Sequence, residues 1–354
     1  MEKEENCQNR IGYLDILRIM STIAVIMIHV VASEWYSADV NNSEWFVLVI
    51  YDGIVRWAVP IFVMISGVLF LEKGNKGIVQ LYKKNIFKIV KVFLIWSLIY
   101  SLNSILKDNL SAKEWVVVFL KGPYHMWYLY MIVGLYILVP LLKEIVKNMM
   151  MTKYFLLLTL IFTFVLPYIA KIFLLTDSGI GMLIEEGMES INFHFTLGYV
   201  GYFVLGYYLN KINTGGKVKW LIYILGISGF VLTVLLTLQI SWLRKIPDGT
   251  FYDSFSLNVM FESIAIFVFC KNNNHRFEKS YFKKEFVRRI SQYTFGAYLS
   301  HVLVIEFVFF VMGQNKLFDC PLIYIPMITV IVTFISFGIS ILLNHIPIVR
   351  KYMV

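Results

Sequence analysis

The first apolar run of the chain, at residues 12–32, reads GYLDILRIMSTIAVIMIHVVA. Only two of its residues, Asp15 and Arg18, are of the Asp, Glu, Lys or Arg type. About 20 apolar residues in an α-helix are enough to cross the hydrocarbon core of a bilayer. The run therefore predicts a transmembrane helix, and similar runs recur along the whole chain.

The composition agrees with a membrane protein. Of the 354 residues, 58% are hydrophobic and 16% are charged, whereas a soluble domain is about half apolar and about a quarter charged. Runs of roughly helix length lie at 12–32, 45–71, 86–106, 126–146, 154–175, 195–210, 219–240, 255–270, 292–313 and 322–346. We therefore expect an all-α integral membrane protein with a single bundle of about ten transmembrane helices.

Two of these runs are unusual. Asp52, Arg56 and Pro60 interrupt the run at 45–71, which predicts a kink or a break in that helix. The run at 195–210 is short and rich in glycine.

The distribution of Lys and Arg predicts the orientation. With both termini in the cytoplasm, 23 of the 32 Lys and Arg residues fall in inside segments and 7 in outside segments, as the positive-inside rule requires. We expect a cytoplasmic tail at 1–11, a membrane domain at 12–346 and a cytoplasmic tail at 347–354, in a multi-pass protein of the cell membrane. The same loops account for the net charge of +9, so no nucleic-acid partner is expected.

Several classes of site are not indicated by the sequence. The three cysteines follow no metal or disulfide spacing, and we expect no metal site. There is no G-x-S-x-G elbow, P-loop, G-x-G-x-x-G or H-E-x-x-H motif. The acidic start MEKEENCQNR, followed by a run that carries charges, is unlike a signal peptide.

Three ionisable residues share one face of the first predicted helix. At about 100° per residue, Asp15, Arg18 and His29 fall within roughly 60° of one another, and about 16 Å of helix separates Arg18 from His29. Charged groups at membrane depth are costly, so this stripe suggests the lining of a polar cavity. The alternative is that Asp15 and Arg18 form a pair that snorkels to the interface while His29 caps the far end.

Further candidates lie on other helices. Arg56 lies four residues before Pro60, and a proline in a helix frees backbone groups that a polar ligand could use. A simple packing kink is the alternative. His125 precedes Trp127 and Tyr128 at the predicted outer face, where an interfacial aromatic belt also explains the two aromatic rings. Glu262 and His301 lie within later predicted helices, where an ionisable side chain needs a partner or a cavity. For His301, a satisfied interhelical hydrogen bond is the alternative.

Four motifs in the same order along the chain resemble the membrane-bound acyltransferase 3 family. They are Tyr13-Leu14-Asp15-x-Leu17-Arg18 with His29; Val59-Pro60-Ile61-Phe62 with Ser66-Gly67; His125-x-Trp127-Tyr128-Leu129 ahead of Tyr136 and Pro140; and Ser291-x-x-Thr294-Phe295-Gly296-x-Tyr298-Leu299-x-His301. An Arg and a His separated by ten residues on the first helix are a hallmark of that family. The resemblance extends from about residue 10 to about residue 346.

The chain departs from the larger polysaccharide-modifying members in two ways. Those members often have a Glu soon after the Trp-Tyr/Phe-Leu motif, whereas residues 130–136 here contain no acidic residue. The extracytoplasmic hydrolase-like domain of some members is also not present in this sequence. The chain therefore resembles the short, stand-alone branch.

The resemblance implies transfer of an acyl group, usually acetyl, from cytoplasmic acyl-CoA to a hydroxyl of a cell-envelope glycan or its lipid-linked precursor. Acyl-CoA would be a donor substrate, and no permanently bound cofactor is expected. His29 would act as general base, while Arg18, oriented by Asp15, would bind the donor. An acyl-histidine intermediate is left open.

Binding residues are predicted from the four motifs and from the ionisable residues at membrane depth together. Substrate-binding candidates are Arg56, Ser66, His125, Trp127, Tyr128, Glu262 and His301. Lys83, Lys84 and Lys88 would attract the nucleotide phosphates of CoA, with an ordinary positive-inside loop as the alternative.

Two other functions compete with acyl transfer. Polar stripes on transmembrane helices also line substrate paths, so a transporter or flippase of a small polar or glycolipid substrate is an alternative, although no inverted repeat is detected. The shared face of Asp15, Arg18 and His29 argues against a purely structural membrane protein.

Overall fold

The computed structural model describes residues 11–72, 77–108, 111–176, 193–279, 281–312 and 320–353. The described residues form helices and turns, with no strand among them. The first ten α-helices are α1 Gly12–Trp35, α2 Ser43–Gly53, α3 Ala58–Glu72, α4 Ile78–Leu81, α5 Phe87–Asp108, α6 Ala112–Lys121, α7 Trp127–Val146, α8 Met149–Thr159, α9 Leu166–Phe173 and α10 Phe193–Lys211. The remaining seven are α11 Gly216–Arg244, α12 Leu257–Asn272, α13 Asn274–Glu278, α14 Tyr281–Ser291, α15 Thr294–Met312, α16 Pro321–His345 and α17 Pro347–Met353.

Short turns of other helix types join some of these elements. π-helical turns at Tyr82–Ile86 and Leu160–Val165 connect α4 to α5 and α8 to α9. 3₁₀ turns at Tyr124–Met126 and Thr250–Tyr252 precede α7 and α12.

The predicted fold class is confirmed. Within the described residues, nine helical stretches are long and apolar enough to cross a membrane. The stretch predicted at 195–210 forms α10, which bends at Gly198 and lies in the interior of the bundle. Tyr202, Phe203 and Val204 of α10 are fully buried. Residues 1–10 and 354 of the predicted tails lie outside the described residues, and 347–353 form α17.

The break predicted in the second apolar run is present. α2 ends at Gly53 and α3 begins at Ala58, so Pro60 falls in the first turn of α3. A proline is tolerated there because the first amide groups of a helix have no intrahelical acceptor. The four residues between the two helices carry Arg56.

Glycines allow close contact between α3 and α10, which form the most extensive helix pair. A Cβ atom on Gly67 would lie 1.8 Å from the carbonyl oxygen of Phe203, and one on Gly206 would lie 2.2 Å from that of Met64. Only residues without a side chain permit this approach of two backbones. The Gly of the Ser66-Gly67 motif therefore serves helix packing.

The first helix lies at the centre of the bundle. α1 packs against α2, α3, α12, α14, α15 and α16. Side chains on the inner faces of α1 consequently meet residues that are distant in sequence.

Candidate functional site

Arg18 and His29 lie on the face of α1 opposite two exposed apolar side chains. Met20 and Ile23 are 37% and 38% exposed, and at about 100° per residue they point about 120–180° away from Arg18 and His29. Both Arg18 and His29 are half-buried. Both residues are therefore partly covered by other side chains, on a different face of α1 from Met20 and Ile23.

The lower end of this stripe is a local ion pair. Arg18 Nη1 lies 3.0 Å from Asp15 Oδ1, and the Asp15 carboxyl is buried. Thr22 Oγ1 donates a hydrogen bond of 2.8 Å to the carbonyl of Arg18. The guanidinium also interacts electrostatically with Tyr128 and Tyr136 of α7. Asp15 thus fixes the direction of the guanidinium.

The upper end of the stripe meets two other histidines. The ring centroid of His29 lies 5.0 Å from that of His301 and 6.3 Å from that of His125, and the centroids of His125 and His301 lie 5.1 Å apart. The three residues come from α1, from the turn before α7 and from α15. His125 and His301 are almost fully buried, at 2% and 0% exposure. We call these three residues the histidine cluster.

His125 is buried in the bundle rather than at its surface. Its predicted position at the outer side of the membrane stays a prediction. The chain turns inward at Gly122, whose φ of 68° is unfavourable for other residues, and Phe93 fills the space that a side chain would need. Tyr298 Oη then donates a hydrogen bond of 2.6 Å to the carbonyl of His125. The turn therefore carries His125 into the interior from the end of α6.

The histidine cluster has nitrogen atoms with no partner. His301 Nδ1 donates to the carbonyl of Tyr298 at 2.5 Å. Within the described residues, His301 Nε2 and both ring nitrogens of His125 are buried without a hydrogen-bond partner. Buried polar atoms of this kind are rare because each costs about 1–3 kcal/mol. The cluster is therefore suited to receive a polar group from a substrate or from water.

The cluster does not resemble a metal site. In the part of the chain that the structure describes, no group of three or more His, Cys, Asp or Glu side chains has an arrangement that could hold a metal ion.

Tyrosines surround the cluster, and sequence reasoning did not identify two of them as site residues. The Tyr100 ring lies 5.0 Å from that of His125, and Tyr124 Oη lies 3.4 Å from His29 Nδ1. Tyr100 Oη also donates to the carbonyl of Leu299 at 2.9 Å. Nothing in the sequence separates these tyrosines from the other 20, because their place in the site depends on helix packing.

Arg56 is held in the break between α2 and α3. It forms an ion pair with the buried carboxyl of Asp52, and its guanidinium lies 4.2 Å from the centroid of the Tyr252 ring. Arg56 also interacts electrostatically with His29 and with Glu262. Arg56 is therefore a fixed positive charge whose electrostatic field reaches His29.

Glu262 lies outside the histidine cluster, in a polar network between α11 and α12. Thr233 Oγ1 donates a hydrogen bond of 2.6 Å to Glu262 Oε1, and Asn258 Nδ2 donates to Thr233 Oγ1 at 2.7 Å. Glu262 also borders a largely apolar groove of about 420 Å³ that Trp57 helps to line. The structure therefore places Glu262 near Arg56 but not against the histidines.

The remaining predicted binding residues separate into two groups. Ser66 Oγ donates to the carbonyl of Phe62 at 3.0 Å, beside the hydroxyls of Tyr128 and Tyr136. The Tyr128 ring lies 5.9 Å from that of Tyr298, so Tyr128 connects the Arg18 region with the cluster. Trp127 is 44% exposed and packs on Tyr199 instead.

The three predicted phosphate-binding lysines lie apart from the cluster. Lys83 and Lys84 are in the π-helical turn, Lys88 is in the first turn of α5, and all three are exposed. The positive charges of Lys88 and of Arg350 in α17 repel each other. π-Helical turns are frequent at functional sites, although a solvated basic loop has the same appearance.

Comparisons with known proteins give one match. A family model described as an acyltransferase domain matches residues 11–345. No curated protein matches the chain, and no solved structure does.

Proposed function

The chain belongs to the acyltransferase 3 family, and from this premise we propose that it transfers an acetyl or related acyl group from acyl-CoA to a hydroxyl group. The proposed acceptor is a cell-envelope glycan or its lipid-linked precursor. Membership of the family and the apolar helices support a membrane acyltransferase. The identity of the acyl donor, the identity of the acceptor and the roles of individual residues are proposed.

The observation that carries the proposal is the position of His29. An alcohol is a weak nucleophile near neutral pH and needs a base to remove its proton. His29 lies on the interior face of α1, half-buried, with a hydroxyl group already 3.4 Å from its Nδ1 atom. A substrate hydroxyl that takes the place of the Tyr124 hydroxyl would be within reach of the imidazole. We assign His29 the role of general base.

Arg56 suits the stabilisation of negative charge. Attack on a thioester produces a tetrahedral intermediate with an oxyanion, and a fixed cation or donor near that oxygen lowers the barrier. Arg56 is held by Asp52 and Tyr252 and interacts electrostatically with His29. Arg18 is about 16 Å of helix away from His29 and cannot serve the same atom. We assign the oxyanion role to Arg56.

Arg18 and Asp15 are assigned to the donor. The Arg18 side chain is partly buried, and its ion pair with Asp15 fixes the direction of the guanidinium. Charge-assisted hydrogen bonds from arginine suit phosphate and carbonyl oxygens. In this arrangement a long donor would be bound near Arg18, with its thioester at the histidine cluster. Lys83, Lys84 and Lys88 would attract its nucleotide phosphates from the cytoplasm.

The test is an assay of the purified protein in nanodiscs with acetyl-CoA labelled in the acetyl group and an extract of envelope glycans. We expect loss of thioester and transfer of label to glycan in the wild type, and neither in His29→Ala. His345→Ala is the matched control, because His345 is exposed at the end of α16. Absence of thioester loss in the wild type with every acyl-CoA and glycan fraction would contradict the proposal.

A transporter or flippase is the second candidate. The break between α2 and α3, which carries Arg56 beside the interior face of α1, resembles the discontinuous helices that form binding sites in transporters. In proteoliposomes this candidate predicts movement of a glycolipid across the bilayer without acyl-CoA. The same preparation therefore distinguishes the two functions.

A further inference from the structure

We propose that His301 is a positioning residue for His29, fixing its tautomer and stabilising the imidazolium that forms when His29 accepts a proton. The inference rests on the proposed function, in which His29 is the base. In many hydrolases a carboxylate accepts a hydrogen bond from the base histidine and orients it. Here His301 would take the place of that carboxylate.

A hydrogen bond to its own helix fixes the tautomer of His301. A carbonyl oxygen can only accept a hydrogen bond, so the 2.5 Å contact with Tyr298 places the proton of neutral His301 on Nδ1. Its Nε2 atom then carries a lone pair and acts as an acceptor. Because Nδ1 points back to its own helix, Nε2 points away from the Tyr298 carbonyl, and the imidazole rings nearest to His301 are those of His29 and His125.

The acceptor atom of His301 has no donor among the described residues. His301 is fully buried, and its Nε2 atom has no hydrogen-bond partner among the described residues. The His29 ring is one of its two nearest imidazole neighbours, at a centroid separation of 5.0 Å. At this separation, ring nitrogens that face each other along the line between the two centroids are within hydrogen-bond range. Catalytic hydrogen bonds are often long in unliganded proteins and shorten when substrate binds.

The two ring nitrogens of His29 have different surroundings. Its Nδ1 atom is near the hydroxyl of Tyr124, a residue that is 65% exposed and hence can be displaced by a substrate hydroxyl. Nε2 is then the atom available to donate to His301. In this tautomer Nδ1 has the lone pair that a general base requires.

The proton and electron changes balance in the resulting step. The acceptor oxygen bonds to the thioester carbonyl carbon while its proton moves to His29 Nδ1, and the carbonyl electrons move to the oxygen beside Arg56. The carbonyl then reforms, the carbon–sulfur bond breaks, and His29 returns the proton to the sulfur of CoA. His301 gains and loses no proton, and its Nε2 atom accepts a stronger hydrogen bond while His29 is charged.

Three variants of His301 separate positioning from packing. The amide of Asn reaches about as far as Nδ1, so His301→Asn keeps a donor for the Tyr298 carbonyl and loses the acceptor at Nε2. The longer His301→Gln places a polar group near Nε2, and His301→Phe keeps the ring volume alone. We expect kcat to fall roughly 10²-fold or more in His301→Asn and His301→Phe, and by less in His301→Gln. The KM for acyl-CoA should be unchanged in all three variants.

His345 provides the matched control. Its Nδ1 atom donates to the carbonyl of Ile341 at 2.8 Å, the same type of bond to its own helix, but it lies outside the cluster. The same three substitutions at position 345 should leave kcat within about twofold, in keeping with a surface site. If His301→Asn keeps wild-type kcat while Phe loses folded protein, His301 is structural and the inference is wrong.

A second measurement needs no turnover. Magic-angle-spinning NMR of protein labelled with ¹⁵N-histidine distinguishes protonated from unprotonated ring nitrogens, and His29→Ala identifies the His29 signals among the six histidines. We expect one His29 tautomer, protonated at Nε2, in the wild type and a mixture in His301→Phe. Identical His29 spectra in both would overturn the inference. A wild type without thioester turnover would instead overturn the proposed function alone.

Discussion

The two ends of the interior face of α1 differ in how they are built. At one end, Arg18 and Asp15 form an ion pair within a single helix, three residues apart. At the other end, His29 meets His125 and His301 from two other parts of the bundle. The Arg18 end is internally paired, whereas the histidine end keeps buried nitrogens without partners among the described residues.

This difference suggests a division of labour. A paired and oriented cation is suited to hold a ligand with little change during the reaction. Polar atoms that remain unpaired before substrate arrives are suited to interactions that form only on the way to the transition state. The Arg18 end should therefore affect binding, and the histidine end should affect turnover.

The largest effect is expected at His29. His29→Ala should lower kcat roughly 10²–10⁴-fold, the usual contribution of a general base. Donor affinity should remain, because the groups assigned to the donor lie at the other end of α1. Isothermal titration with a non-hydrolysable acyl-CoA analogue and a turnover assay measure the two quantities. Near-normal turnover in well-folded protein would remove His29 from the mechanism.

The next largest effect is expected at Arg56. Arg56→Met should lower kcat about 10²–10³-fold, the range observed when an oxyanion donor is removed. Arg56→Lys should retain part of the activity because it keeps the charge but loses the planar fork. Guanidinium ions added to an Arg56→Gly variant should restore some turnover, whereas ammonium ions should not. A change in acceptor KM with unchanged kcat would instead identify Arg56 as a binding residue.

A change in helix packing at Gly67 should have a smaller effect, seen in the stability of the protein rather than in its activity. Gly67→Ala places a methyl group against the backbone of α10, and overpacking of this kind costs about 1–3 kcal/mol. The thermal unfolding temperature in detergent should fall. The control is Gly338→Ala, because no atom lies within 4 Å of the added methyl group at that position. Equal unfolding temperatures would show that α3 and α10 can separate without cost.

At the Arg18 end, the expected change is in binding. Arg18→Ala should raise the Kd for the donor by about 10- to 100-fold, since hydrogen bonds to charged groups contribute about 1.5–3 kcal/mol. Arg18→Lys and Asp15→Asn should have smaller effects. The kcat of each variant at saturating donor should stay close to wild type. A fall in kcat with unchanged Kd would contradict the assigned division between the two ends.

The smallest perturbation tests the orientation of the chain in the membrane. The roles assigned to the Arg18 end and to the His29 end of α1 both depend on that orientation. Single cysteines at Asn42 and Asn274, in a variant without the three native cysteines, should change neither folding nor activity. An impermeant maleimide applied from outside should label position 42 and not position 274. The reverse pattern would place Arg18 at the outer side and invert the proposed path of the donor.

The sequence by itself was sufficient for the class of fold. Lipid rather than water surrounds the chain, so the length and apolarity of each run identify a spanning helix without knowledge of its neighbours. The break between α2 and α3 was also predicted, because Asp52, Arg56 and Pro60 act locally on the helix that contains them. The face shared by Asp15, Arg18 and His29 follows from helix geometry in the same way.

Only the tertiary structure decided which of these residues meet. His29, His125 and His301 lie in separate segments, and their distances depend on how α1, α7 and α15 pack and on the inward turn at Gly122. For the same reason Glu262 is directed to Thr233 and Trp127 to Tyr199, away from the cluster. Helical periodicity reports the direction of a side chain from its own axis, whereas the neighbour it meets depends on the crossing of separate helices.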